Sequence, residues 1–167
     1  MAISPTHVKE LRELTGAGML DCKKALEDAK GDLERAKEIL RKKGIDVAAR
    51  KAERATAEGL VHAYIHHNSR LGVLIEVNCE SDFVARTDDF RALVQQLAIQ
   101  IAGADPVYVS KDEMPAGSKE DPKAAVLLLQ PLLQDESKTV QELVNDTIAK
   151  TGENIRVRRF ARFQLGG

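Results

Sequence analysis

Apolar positions set three and four residues apart run through the first quarter of the chain. Val8, Leu11, Leu14 and Thr15 make one stripe, Cys22, Ala25, Leu26 and Ala29 a second, and Ala36, Ile39 and Leu40 a third. Each stripe predicts the inner face of a short helix. Ser4 is placed to cap the first helix, with Pro5 at the first helical position, where a missing N–H is harmless. Gly16, Gly31 and Gly44 read as the three stops, and Asp32 as the cap of the third helix. Residues 46–58, rich in Ala and charge, read as an exposed helix joining two parts. The period then changes. Segments 59–67 and 71–78 are β-branched and alternating, with Asn68-Ser69-Arg70 between them, and predict a hairpin with Val73, Ile75 and Val77 on one face.

From Ser81 the helical period returns. Phe83, Thr87, Phe90, Val94, Leu97 and Ile101 predict one continuous helix, ended by Gly103-Ala104-Asp105-Pro106. Residues 107–110 suit a short strand, 111–123 a charged loop with Pro115, Gly117 and Pro122, and 124–133 is apolar but interrupted by Pro131. Thr139-Val140-Gln141-Glu142 spells a capping box for a helix that runs to Gly152. The chain closes on a strand over 154–165. Strict alternation there puts Ile155, Val157, Arg159, Ala161 and Phe163 on one face and Arg156, Arg158, Phe160 and Arg162 on the other. The fold class expected is α+β: three helices, then an antiparallel sheet packed by helices, with the hairpin and the last strand in one sheet.

Length and charge narrow the function. A chain of 167 residues buries roughly 68–70% of its unfolded surface and folds without a metal or disulfide. The N-terminal unit taken alone has a marginal core and leans on the rest or on a partner. With 25 basic and 26 acidic residues, no overall field draws in nucleic acid or an anionic membrane. Aromatics are 4% of the chain and Trp is absent, so stacked bases find little surface. The two cysteines, Cys22 and Cys79, stand apart with no C-x-x-C, as in a reduced cytoplasmic chain. No leader pattern is read at Met1–Pro5, and no apolar stretch spans a bilayer.

The chemistry of an enzyme is missing from the motifs. No phosphate-cradling G-x-x-x-x-G-K-[ST] or G-x-G-x-x-G is found, so the chain is expected to bind no nucleotide by itself. No nucleophile elbow or H-E-x-x-H appears either, and no cofactor is expected. His62, His66 and His67 cluster near the hairpin, but no Cys or carboxylate joins them at ligand spacing, so no metal is expected. Arg156, Arg158, Arg159 and Arg162 suit either phosphate contacts or the solvated face of a strand, and the second use is favoured. Two segments stand out. In Thr15-Gly16-Ala17-Gly18-Met19-Leu20-Asp21, Met19 and Leu20 sit at a two-glycine turn, and pattern alone leaves open whether they close the core or meet another helix. In Cys79-Glu80-Ser81-Asp82-Phe83-Val84-Ala85-Arg86 a strand hands over to a helix, and pattern alone favours a core role for Phe83.

At these two segments the sequence resembles the bacterial translation elongation factor Ts family. Val8–Leu26 matches its first signature, with Met19-Leu20 where Met-Met is usual. Glu76–Arg86 matches the second, with Ser81 where Thr is usual, and Gly152–Arg159 matches a third. The resemblance covers almost the whole chain except 111–138, which looks trimmed. It implies a non-enzymatic guanine nucleotide exchange factor, acting in the cytoplasm on the GTPase elongation factor Tu by disturbing its magnesium and phosphate site. By the resemblance, Ser81, Asp82, Phe83 and Val84 form the wedge near that site, which overrides the core reading of Phe83.

The same resemblance makes residues 1–45 a ubiquitin-associated-like unit that grips the GTPase through Arg12, Met19 and Leu20. Residues 46–58 are then a helical linker and 59–167 the core and dimerisation part. His67, in His67-Asn68-Ser69-Arg70-Leu71-Gly72-Val73-Leu74, matches a motif that longer members carry in a second half. One copy of a core that longer members duplicate implies a homodimer, and with Ala161 in the last strand and no Cys nearby it is non-covalent. The competing expectation is a nucleic-acid-binding module that uses the arginines of the last strand.

Overall fold

The computed structural model describes residues 4–167. Met1–Ile3, the start of the segment read for a leader and of the 1–45 unit, lie outside the described residues. Three helices come first: α1 (Pro5–Thr15), α2 (Met19–Asp28) and α3 (Leu33–Lys51). The hairpin β1 (Glu58–Ile65) and β2 (Leu71–Cys79) follows, then α4 (Asp82–Ala85) and α5 (Asp88–Ala104). After a short α6 (Pro122–Ala125) come the small ribbon β3 (Pro131–Leu132) and β4 (Asp135–Thr139), helix α7 (Val140–Thr151) and strand β5 (Ile155–Gln164). The fold is α+β, with an antiparallel sheet ordered β1-β2-β5, so the hairpin and the last strand do share one sheet.

The caps are those the sequence spells. The Ser4 hydroxyl accepts from the Thr6 N–H, Asp32 from Arg35, and Thr139 and Glu142 complete their capping box. Gly16 and Gly152 end their helices in the left-handed conformation. Gly44 does not. Helix α3 runs through it without a break; Gly44 is buried where α3 meets α7, and the packing against α7 carries the helix past it. The helix expected over 46–58 is therefore the second half of α3 and stops at Lys51, and it is not wholly exposed, since Val47 and Ala48 pack on the main core.

Two apolar clusters hold the molecule. The smaller joins Val8, Leu11, Cys22, Ala25, Leu26 and Ala36. Leu14, assigned to that face by its spacing, is instead exposed. The larger lies between the sheet and helices α5 and α7, around Ile75, Val77, Phe90, Leu97, Ile101 and Val140. Helix α3 touches both, and its outer half is tied to α7 by the Arg41–Glu142 pair at 2.8 Å.

Strand β5 departs from strict alternation. Arg158 is an extra residue: Val157 faces Val77 and Arg159 faces Glu76. The bulge turns the strand over. Ile155 and Val157 face the core before it, Phe160 and Arg162 after it, while Arg159, Ala161 and Phe163 move to the outer face. The outer face is polar at one end, where Arg159 donates to Glu76 at 2.7 Å, and apolar towards the hairpin tip, with Ile65, Leu74 and Phe163 exposed.

Candidate functional site

The second signature folds into a corner between β2 and α5. Its helix is not continuous with α5. Thr87 caps α5 by accepting from the Phe90 N–H, and the chain bends at Arg86 and Thr87. The bend takes Phe83 out of phase with the stripe that begins at Phe90. Val84 and Ala85 turn into the core instead, and Phe83 is left 76% exposed at the start of α4. The expected continuous stripe from Phe83 is corrected on this point. Beside it Asp82 is exposed and pairs with Arg86 at 2.8 Å.

This corner is framed from far along the chain. Ser81 Oγ accepts from the Val84 N–H at 3.3 Å and so caps α4. Glu153, from the third signature, reaches over from the end of α7. Its Oε2 accepts from the backbone N–H groups of Glu80 and Ser81 at 3.1 and 3.0 Å, and its Oε1 accepts from the Ser81 hydroxyl at 2.5 Å. Glu80 answers by accepting from the Asn154 N–H at 2.6 Å. Asn154, buried, donates through Nδ2 to the carbonyls of Ala52 and Arg54 just beyond α3. Cys79 lies under the turn with its thiol on the Ser81 carbonyl, and burial, with Glu153 nearby, pushes that thiol up to about 11. A neutral, buried thiol is no nucleophile. The sequence reading missed Glu153 as part of this site. The signal was available only in the third signature, because no local pattern links residues so far apart.

The N-terminal candidates lie elsewhere on the surface. Met19 and Leu20 form the first turn of α2 rather than the preceding turn, and they are 57% and 83% exposed. Gly18, the residue before them, gives no side-chain cap. Arg12 is exposed in the last turn of α1. His67 is exposed in the hairpin turn, its ring 4.2 Å from that of His66. The neighbouring histidines have protein partners: His62 Nε2 meets Gln95 Oε1 at 2.6 Å and His66 Nδ1 meets the Tyr64 hydroxyl at 2.9 Å.

The arginines of β5 are mostly engaged within the fold. Arg156 donates to the Ala52 carbonyl, Arg159 pairs with Glu76, and Arg162 is held by Asp105 and the Ala102 carbonyl. Only Arg158, on the bulge, shows none of these contacts among the described residues. No helix among the described residues is long and apolar enough to cross a membrane.

Comparison with known proteins bears on the same corner. The family model described as Elongation factor TS matches residues 21–128 and 80–167, which together include both the corner and its clamp. This chain belongs to the elongation factor Ts family. It is 47% identical to elongation factor Ts of Thermotoga maritima over 99% of this chain and 98% of that protein. It is 48% identical to that of Moorella thermoacetica, over 98% and 96%, and 47% identical to that of Coprothermobacter proteolyticus, over 99% and 100%. The alignments run to 194 and 196 positions against a chain of 167, so these elongation factors Ts carry residues with no counterpart here.

Proposed function

We propose that this protein is a guanine nucleotide exchange factor for elongation factor Tu, acting in the cytoplasm and catalysing no chemical step. One observation carries the reading: Phe83, a large apolar side chain, stands exposed on a corner stiffened by a cap and by Glu153. An exposed, pre-positioned aromatic is a ready contact for an apolar slot in a partner. Family membership supports the identity of that partner. Phe83, with Asp82 beside it and Ser81 and Val84 holding the turn, enters near the partner's magnesium and phosphate site. Displacing the metal removes charge neutralisation from the phosphates. The factor binds the nucleotide-free GTPase more tightly than the GDP-bound one, and by linkage it must weaken GDP by the same ratio.

In this reading residues 1–45 form a second contact, through Arg12, Met19 and Leu20, with 46–58 as the joining segment and 59–167 as the core. Two separate apolar clusters support that division. The chain works as a non-covalent homodimer, for which the apolar end of the outer sheet face is the support: Ile65, Leu74 and Phe163 lie there side by side on β1, β2 and β5. His67, exposed at the hairpin tip, is a further contact offered by one copy.

The test is release of labelled GDP from elongation factor Tu with and without this chain. Faster release supports the reading, and unchanged release rejects it. Light scattering at tens of micromolar, where moderate interfaces fill, checks the dimer. A dimer that Phe163→Glu converts to a monomer supports the sheet interface, and a wild-type monomer rejects it.

A further inference from the structure

We propose that Glu153 is a positioning residue for exchange, which sets the aim of Phe83 through the Ser81 turn. The inference rests on the reading of Phe83 as the wedge. A four-residue helix cannot fix its own direction, because nucleating one turn costs more than its few bonds return. The direction of α4 must come from outside it: Val84 and Ala85 seat it on the core, and Glu153 fixes the turn that leads into it. One carboxylate takes two backbone N–H groups and one hydroxyl from the two residues that precede Asp82. Its own place is fixed because it follows Gly152, which ends α7 at φ +76, and precedes the buried Asn154.

The clamp has a mechanical counterpart on its other side. Glu80 accepts from the Asn154 N–H and pairs with Arg54 at 3.6 Å, while the Asn154 side chain holds the Ala52 and Arg54 carbonyls. Consecutive residues thus grip the wedge turn and the chain leaving α3. A carboxylate that accepts three hydrogen bonds is not replaced by an amide of the same shape. Glutamine can keep its oxygen on the two N–H groups, but its NH₂ then faces the Ser81 oxygen, which reverses that bond, and the charge that strengthens all three bonds is lost. The turn would then keep its core contacts through Val84 and Ala85 but be held by weaker, rearranged bonds.

The experiment measures maximal GDP release from elongation factor Tu at saturating full-length chain, together with thermal melts, for Glu153→Gln, Phe83→Ala and the pair. Glu153→Gln should slow maximal release about tenfold, as expected when a binding group is misaimed, while the half-saturating concentration stays as in the wild type. In the Phe83→Ala background the same substitution should change nothing further, since the clamp acts only through that ring. A merely structural role would give equal losses in both backgrounds, and that result overturns the proposal. So does wild-type release by Glu153→Gln when Phe83→Ala is slow, a result that leaves the wedge standing. Wild-type release by Phe83→Ala overturns wedge and clamp together. If Glu153→Gln does not fold, Ser81→Ala removes the clamped hydroxyl and is subject to the same pairing with Phe83→Ala.

Discussion

Two exposed apolar tips, Phe83 and the pair Met19-Leu20, both sit in the first turn of a helix, yet they are held by different means. The turn before Phe83 is fixed by a serine cap and by a carboxylate from 72 residues further along. The turn before Met19 has a glycine at the cap position and no side-chain cap bond. Its support is looser: the Thr15 hydroxyl bonds the Leu11 carbonyl and accepts from Ala17, Cys22 packs in the small cluster below, and, among the described residues, the one side-chain tie from another helix is the exposed pair of Asp21 with Lys43. The first tip is built to keep one direction, as a group must if it is to distort a partner. The second is built to adapt, which suits flexible side chains that add affinity.

The sharpest way to break this contrast is Phe83→Ala. Maximal GDP release should fall by about 30-fold, the equivalent of a ~2 kcal/mol hot-spot contact. Stability should change by less than about 0.5 kcal/mol, because the ring is exposed. Phe90→Ala is the matched control: that ring is fully buried and its loss should cost about 3–5 kcal/mol of folding stability. A large melt shift for Phe83→Ala would return Phe83 to the core.

Next in size is Met19→Ala combined with Leu20→Ala. The half-saturating concentration of the factor should rise about tenfold while maximal release is kept, as expected when affinity is lost without aim. A drop in maximal release with unaltered half-saturation would erase the difference between the tips. Asp82→Ala comes third. It removes an exposed pair with Arg86 and a carboxylate in the first turn, so the melt should report a loss of about 0.3–1 kcal/mol.

The smallest effect is chemical. Cys22 and Cys79 are both buried, and burial raises both thiols, Cys79 to about 11. Cys22 belongs to the smaller cluster, which has fewer buried apolar residues to hold it closed. Mass spectrometry after brief alkylation at pH 8 should therefore find label on Cys22 before Cys79. The raised thiol of Cys79 also has a stability consequence. Its folded pKa lies above the unfolded value of 9.0, so its contribution is intact below that pH and is lost as pH rises towards 11. Alkaline melts of Cys79→Ala should lack this part of the decline.

Much of the fold around the two tips is legible in the sequence, and little of the contrast between them. The caps at Ser4, Asp32 and Thr139, the hairpin and the shared sheet follow from residue types at fixed offsets, because their physics is local. The break between α4 and α5 was also written locally, in Thr87 followed by Asp88 and Asp89, an N-terminal signature hidden under an unbroken apolar stripe. Two features had no local signal. The bulge at Arg158 shows only in the pairing of β5 with β2, and the passage of α3 through Gly44 only in its contact with α7. A glycine reads as a stop until the helix that packs across it is known. The exposure of Phe83 came from resemblance, against the stripe, and its clamp by Glu153 came from neither.

Helix α3 has a consequence for how strongly the two tips act together. Nineteen residues of uninterrupted helix make a rod of about 28 Å. It begins in the cluster beneath Met19 and ends where Asn154 holds the chain beside the wedge corner. A flexible tether would let the second tip wander after the first had engaged, and the effective concentration of the second would be diluted over that volume. A rod removes the wandering. If both tips are contacts, as proposed, then once one has landed the other is presented at a fixed separation, so two modest contacts can give the avidity of one strong one, and a partner surface with the wrong spacing gains nothing from the second.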